Sequence, residues 1–217
     1  MGNLLQAAQL LDTFRAGSLR STVAKIQGKL EGASKASISP QLSELGIGME
    51  LMLAALLVKR TSSQINEIVH AVGILLVLPA LLEDGETVVK LSLAAGNTGN
   101  DFDLETNKRV AEFTFIDWQG GAEVIRQNKI LKDFHFLAEA ETDKRRELFV
   151  AGLEHPQKFF ESGRSLPAIL RGNNKLGTSF LTKYGDRFKT VREYYVATRH
   201  LVAIRDLCEF LPVLKSS

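Results

Sequence analysis

After Asp84-Gly85 the hydrophobic period of the chain drops from that of a helix to that of a strand, and after Gly120-Gly121 it returns. No other feature constrains the fold as much, because side chains repeat about every 3.6 residues on a helix and about every two on a strand. Thr87-Val88-Val89-Lys90-Leu91-Ser92-Leu93 begins β-branched and alternates toward its end. Asp101-Phe102-Asp103-Leu104-Glu105 puts three carboxylates on one face and two hydrophobes on the other. Arg109 to Trp118 sets Val110, Glu112, Thr114 and Ile116 opposite Phe113, Phe115 and Asp117. Thr106-Asn107-Lys108 is short enough to turn the last two segments into a hairpin. A fourth strand is expected from Arg145 to Ala151.

Around these strands the pattern is helical. Asn3 to Leu30 predicts helix interrupted near Gly17-Ser18, and Glu31 to Ser39, followed by Pro40, reads as a linker. A second helix is expected from Gln41 to Val58. Thr61-Ser62-Ser63-Gln64 has the capping-box pattern and opens a third, apolar helix that ends near Leu82. Ala122 to Glu139 carries the stripe Val124, Ile125, Leu131, Phe134 and Leu137. Pro156 to Phe160 and Ser165 to Leu170 predict short helices, and Thr178 to Leu211 predicts one long helix or two. The expected class is mixed α/β: an N-terminal helical region at 1–60, an αβββαβ core at 61–155, and a basic C-terminal helical region at 156–217 packed on the core.

Composition narrows the function classes. A chain of 217 residues that is 45% apolar can bury a real core. Its one cysteine, Cys208, allows no intrachain disulfide, and a cytoplasmic location is expected. The N-terminus lacks a secretory pattern, and the apolar run Ile68 to Leu82 is short of the roughly 20 residues of a membrane span, so a buried helix and no membrane partner are expected. The chain has no Gly-x-Ser-x-Gly elbow and no phosphate-binding Gly-x4-Gly-Lys-Ser/Thr loop, which argues against serine hydrolases and P-loop ATPases. His70, His135, His155 and His200 do not have zinc-ligand spacing. The net charge of +2 is unevenly spread: Lys144 to Ser217 has 14 Lys and Arg against 7 Asp and Glu, and the preceding part has 13 against 18. A basic third beside an acidic middle suits a protein that holds a polyanion near a cation site.

Glu112 lies between Ala111 and Phe113 in an otherwise apolar strand, where a carboxylate is costly to bury without a partner or a cation. With Asp103 on the preceding hairpin strand, and with helix, three strands, helix and strand following in order from Ser62 to Ala151, the segment resembles the PD-(D/E)xK, restriction-endonuclease-like superfamily. The resemblance covers roughly 90 of the 217 residues. It implies a small central mixed sheet flanked by helices and a metal-dependent nuclease acting on DNA or RNA. Glu67, Asp103 and Glu112 would hold Mg²⁺ or Mn²⁺, an ion that takes a few carboxylate oxygens and keeps several waters. Thr114 stands in the slot of the family's lysine, and Lys90 or Arg126 would supply that charge. Gln127 matches a glutamine on the helix that follows. The catalytic set implied is Asp103, Glu112, Lys90 and Gln127, with Arg126 and Lys129 binding substrate. The alternative is a catalytically silent fold that serves as a nucleic-acid or protein interaction module. Because many enzymes of this fold act as dimers, the resemblance also implies a homodimer, with the N-terminal helices to supply its interface.

Overall fold

In the computed structural model, residues 3–31, 35–93, 102–115, 118 and 124–215 are described. The chain divides into two compact units, Met1–Asn66 and Glu67–Ser217. The first is helical. α1 (Leu4–Arg15) starts at Asn3, whose side chain accepts the Leu5 N–H, and α2 (Leu19–Leu30) starts at Ser18, which caps the Ser21 N–H. Between them Ala16 and Gly17 take positive φ, so the expected interruption near Gly17-Ser18 is present. α3 (Lys35–Glu44) carries Pro40 within it, so helix occupies part of the stretch expected as linker.

α4 (Met49–Leu81) is one helix of 33 residues and contains the division between the units. The sequence predicted two helices here, with a cap at Thr61. Instead the Thr61 hydroxyl donates to the Leu57 carbonyl one turn back, a helix-interior bond that leaves the chain free to continue. By length and composition alone α4 could cross a membrane, which the shorter run Ile68 to Leu82 did not suggest. Its second half is two-faced. Ile74, Val77 and Leu81 are buried, whereas Ile68, Val69, Val72, Leu75 and Leu76 are 41–60% exposed.

The second unit is built on a five-stranded sheet in the order β1 (Val88–Leu91), β2 (Leu104–Thr106), β3 (Arg109–Thr114), β4 (Arg145–Val150), β5 (Ala203–Asp206). The first three strands pair antiparallel, and β3–β4 and β4–β5 pair parallel. The architecture is therefore mixed α/β, with nine α-helices among the described residues. β5 corrects the expectation of helix through Leu211. The helices there are α8 (Asn174–Tyr184) and α9 (Val191–Thr198), after which the chain returns beside β4 and closes in two 3₁₀ turns.

Each sheet face has its own core. On one side Ile74, Val77 and Leu81 of α4 pack with Leu104, Ala111, Phe113, Phe115, Phe149 and Leu207. On the other, α5 (Val124–Ala138) contributes Ile130, Leu131, Phe134 and Leu137, joined by α6 (Glu154–Phe160), α7 (Leu166–Leu170), α8 and α9. Val124 and Ile125, expected in the α5 stripe, are exposed at the start of the helix.

A buried charge network ties the sheet to α4. The Arg109 guanidinium donates to Glu86 at 2.6 Å, to Glu147 of β4 at 2.7 Å and to the Leu81 carbonyl at 3.1 Å. Thr106 accepts the N–H groups of Lys108 and Arg109 and donates to Glu86, which builds the β2–β3 turn. With both carboxylates and the guanidinium desolvated, removing any one partner would leave an uncompensated charge.

Candidate functional site

The β2–β3 register pairs Leu104 with Ala111 and Glu105 with Val110, so its next step sets Asp103 across from Glu112. Asp103 lies just before β2, and its Oδ2 accepts the Phe113 N–H at 2.9 Å. The carboxyl groups of Asp103 and Glu112 face each other across the two strands and bear on each other's ionisation. Burial raises the Glu112 carboxyl well above the ordinary range, and the charges of Asp133 and Asp103 push it further. Burial also raises Asp103, but His70, the Phe113 N–H and Glu112 outweigh it and leave this carboxyl below its usual value. The two therefore titrate as a pair.

Thr114, two residues after Glu112, is on the same face of β3. Above it on α5, Lys129 Nζ lies 3.2 Å from Thr114 Oγ1 and 2.5 Å from Asp133 Oδ2. Lys129 and Asp133 are one helical turn apart and meet for that reason. The Asp133 side chain is 5% exposed and that of Lys129 40%, so the ammonium is anchored at a buried carboxylate while its stem remains open to solvent. Burial alone would lower the lysine pKa, but Asp133, Glu112 and Asp103 raise it above the usual value. Lys129 is thus a fixed cation and has little capacity as a base.

From the other face of the sheet, α4 brings His70. Its Nε2 lies 3.3 Å from Asp103 Oδ1, and both side chains are 15% exposed. Helices from both faces therefore bear on the carboxylate pair: α4 reaches Asp103 through His70, and α5 brings Lys129 to Thr114 and Asp133, whose charge acts on Glu112.

The other residues singled out from the sequence lie in different surroundings. Lys90 on β1 is 3.6 Å from Glu105 and largely exposed, so it serves that carboxylate. Gln127 is buried, and its side-chain oxygen accepts from the Arg164 guanidinium. Arg126 is half-buried, one turn before Lys129. Glu67 is exposed on α4 one turn before His70, and the contact to Asp103 is made by His70. The glycine-rich segment 95–100, Asp101, Ile116 and Asp117 lie outside the described residues. His70 and Asp133 were not identified from the sequence. For Asp133 the signal was its spacing of four from Lys129; for His70 nothing in the sequence marks which side of an apolar helix faces the sheet.

Among the described residues no three His, Cys, Asp or Glu side chains are arranged to hold a metal ion. The donor chemistry at Asp103 and Glu112 nonetheless suits a hard divalent cation that takes one or two carboxylates and keeps its waters. The buried His70 Nε2, aligned for a hydrogen bond to no protein group, fits a site whose polar contacts are completed by something bound there. Comparison with family models, curated proteins and solved structures found nothing that matches this chain.

Proposed function

We propose that the chain is a metal-dependent nuclease with a restriction-endonuclease-like core, in which Lys129 of α5 takes over the work of the lysine that Thr114 replaces. The observation that carries this reading is the contact of Lys129 Nζ with Thr114 Oγ1 at 3.2 Å: the cation missing from the strand arrives from the neighbouring helix at the same residue. The element order α4, β1, β2, β3, α5, β4, antiparallel through β3 and then parallel, supports it further. The basic C-terminal third suits a polyanionic substrate.

A Mg²⁺ or Mn²⁺ ion at Asp103 and Glu112 would polarise the phosphoryl oxygen and lower the pKa of a bound water. The chain's own residues supply the rest. Asp133 and Thr114 orient the Lys129 ammonium, and its charge offsets the negative charge that builds on the phosphoryl oxygens as water attacks and the bond to the leaving oxygen breaks. Because its neighbours keep Lys129 protonated, it stabilises charge and does not take the proton of the attacking water.

The test is cleavage of labelled single- and double-stranded DNA and RNA in Mg²⁺ or Mn²⁺ by wild type, Glu112→Ala and Lys129→Ala. Wild type is expected to cleave, Glu112→Ala to be inactive, and Lys129→Ala to lose on the order of 10²–10³ in rate. Adding Thr114→Lys to Lys129→Ala should restore part of that loss. A folded wild type that cleaves none of these substrates with either metal rules the reading out. A second reading, a silent fold used for interaction, is favoured by the exposed apolar face of α4, and it predicts binding without cleavage.

A further inference from the structure

The carboxylate pair does not account for His70. Its Nε2 is buried 3.3 Å from Asp103 Oδ1 and is aligned for a hydrogen bond to no protein group. Desolvating a polar nitrogen in this way is unfavourable, yet the packing holds it there. Phe115 stands edge-on to the imidazole, with ring centroids 6.0 Å apart and planes at 85°. Phe115 in turn lies against Gly73, one turn along α4, where a Cβ would come within 2.4 Å of Phe115 Cε1. A side chain at 73 would displace the ring that sets the imidazole, so glycine there and histidine at 70 belong to one arrangement.

Asp103 is held on its other sides. Oδ2 takes the Phe113 N–H, and Glu112 stands across the strands from this carboxyl. Oδ1 is the oxygen that His70 faces. On the same helix Glu67, the residue that the family resemblance assigns to the metal, is exposed one turn earlier.

Resting on the nuclease reading above, we infer that His70 is a positioning residue for the cation site: its Nε2, 3.3 Å from Asp103 Oδ1 but off the direction of a hydrogen bond, would donate to that oxygen once the carboxylate turns to take the ion shared with Glu112. It would act through Asp103, as the hydrogen-bond partners of metal-binding carboxylates do. α4 then contributes to the site through His70 and not through Glu67.

Binding of Mn²⁺ to the full chain, followed by the paramagnetic resonance of the free ion, tests this without requiring turnover. The proteins are wild type, His70→Leu, His70→Asn, His70→Gln, Glu67→Gln and Glu112→Gln. Glu112→Gln is expected to abolish binding and Glu67→Gln to leave it unchanged. His70→Leu and His70→Asn should weaken it by about 10- to 100-fold, the usual loss when the partner of a ligand is removed. His70→Gln, whose amide nitrogen reaches the position of Nε2, should stay close to wild type. If His70→Leu does not fold, His70→Asn against His70→Gln decides, since both are polar and only one reaches Asp103. Wild-type affinity in the Leu and Asn variants, or equal losses in Gln and Asn, overturns the role of His70 while the Glu112 result still supports the site. A wild type that binds no Mn²⁺ overturns the inference and the metal-dependent reading together.

Discussion

At the scale of single residues, a few buried polar groups set much of the molecule's response to pH. His135 is fully buried on α5, with Nδ1 2.9 Å from the Tyr194 hydroxyl and Nε2 2.9 Å from Ser179 Oγ. Burial lowers its pKa from 6.5 to about 4, so the folded chain refuses a proton that the unfolded chain accepts. Its contribution to stability is present above pH 6.5 and is lost as the pH falls toward 4. Glu86 acts lower on the scale. Its hydrogen bond from Arg109 takes the carboxyl from 4.5 to about 2, so its contribution is present above pH 4.5 and disappears between there and 2. Both effects have the same sign, and stability should fall in two stages on acidification. Urea unfolding at a series of pH values checks this: His135→Gln should flatten the slope between pH 6.5 and 4 and leave the lower stage in place. An unchanged slope above pH 4 would show that His135 is not its source. The sequence marks these residues unequally. Asp103 and Glu112 were legible because acids alternating with hydrophobes in a strand stand out, and a charge in a central strand needs a reason. His135 and His70 gave no such signal, because a histidine among apolar helix residues has the same local pattern whether it faces core, solvent or site.

At the scale of elements, what was legible followed local rules, and what was missed depended on partners distant in sequence. β3, β4 and the helix after Gly121 were readable from period alone. The capping box at Thr61 was misleading because its hydroxyl has a second option inside a helix, the carbonyl four residues back, and the apolar residues on both sides favour continuity. β5 was missed because Leu201, Val202, Ile204 and Leu207 keep helix-like spacing, while Ala203–Asp206 is made a strand by pairing with β4. The seating of α4 on the sheet yields a prediction of its own. Gly73→Ala forces the Phe115 ring to shift and should cost about 1–3 kcal/mol by overpacking. Adding Phe115→Leu, which clears the space, should recover part of that loss in thermal unfolding. Losses that simply add in the double variant would mean that Gly73 matters for some reason other than Phe115.

At the scale of the whole molecule, the two units differ in how much they bury. Among the described residues of Met1–Asn66 only Ala7 and Ala54 are buried, whereas Glu67–Ser217 has two apolar cores, one on each face of the sheet. Local stability follows buried apolar contacts, so the helices α1 to α3 should open far more readily than the sheet. Amide hydrogen exchange is expected to show weak protection throughout α1 to α3 and protection close to that of global unfolding in β3 and β4. Strong protection in α1 to α3 would mean that they are buried against a further copy or partner in solution.

The site takes one side chain from a helix on each face of the sheet, His70 at Asp103 and Lys129 at Thr114, and this makes it a gauge of the thickness of that layered stack. His70 and Lys129 belong to different layers and have no bond to each other, so their separation is set by how closely α4 and α5 pack on the strands between them. Enlarging or trimming Phe113, Ile130 or Val77, none of which belongs to the polar group, would change that spacing. Substitutions deep in either core would then be felt at the carboxylate pair as well as in the stability of the molecule.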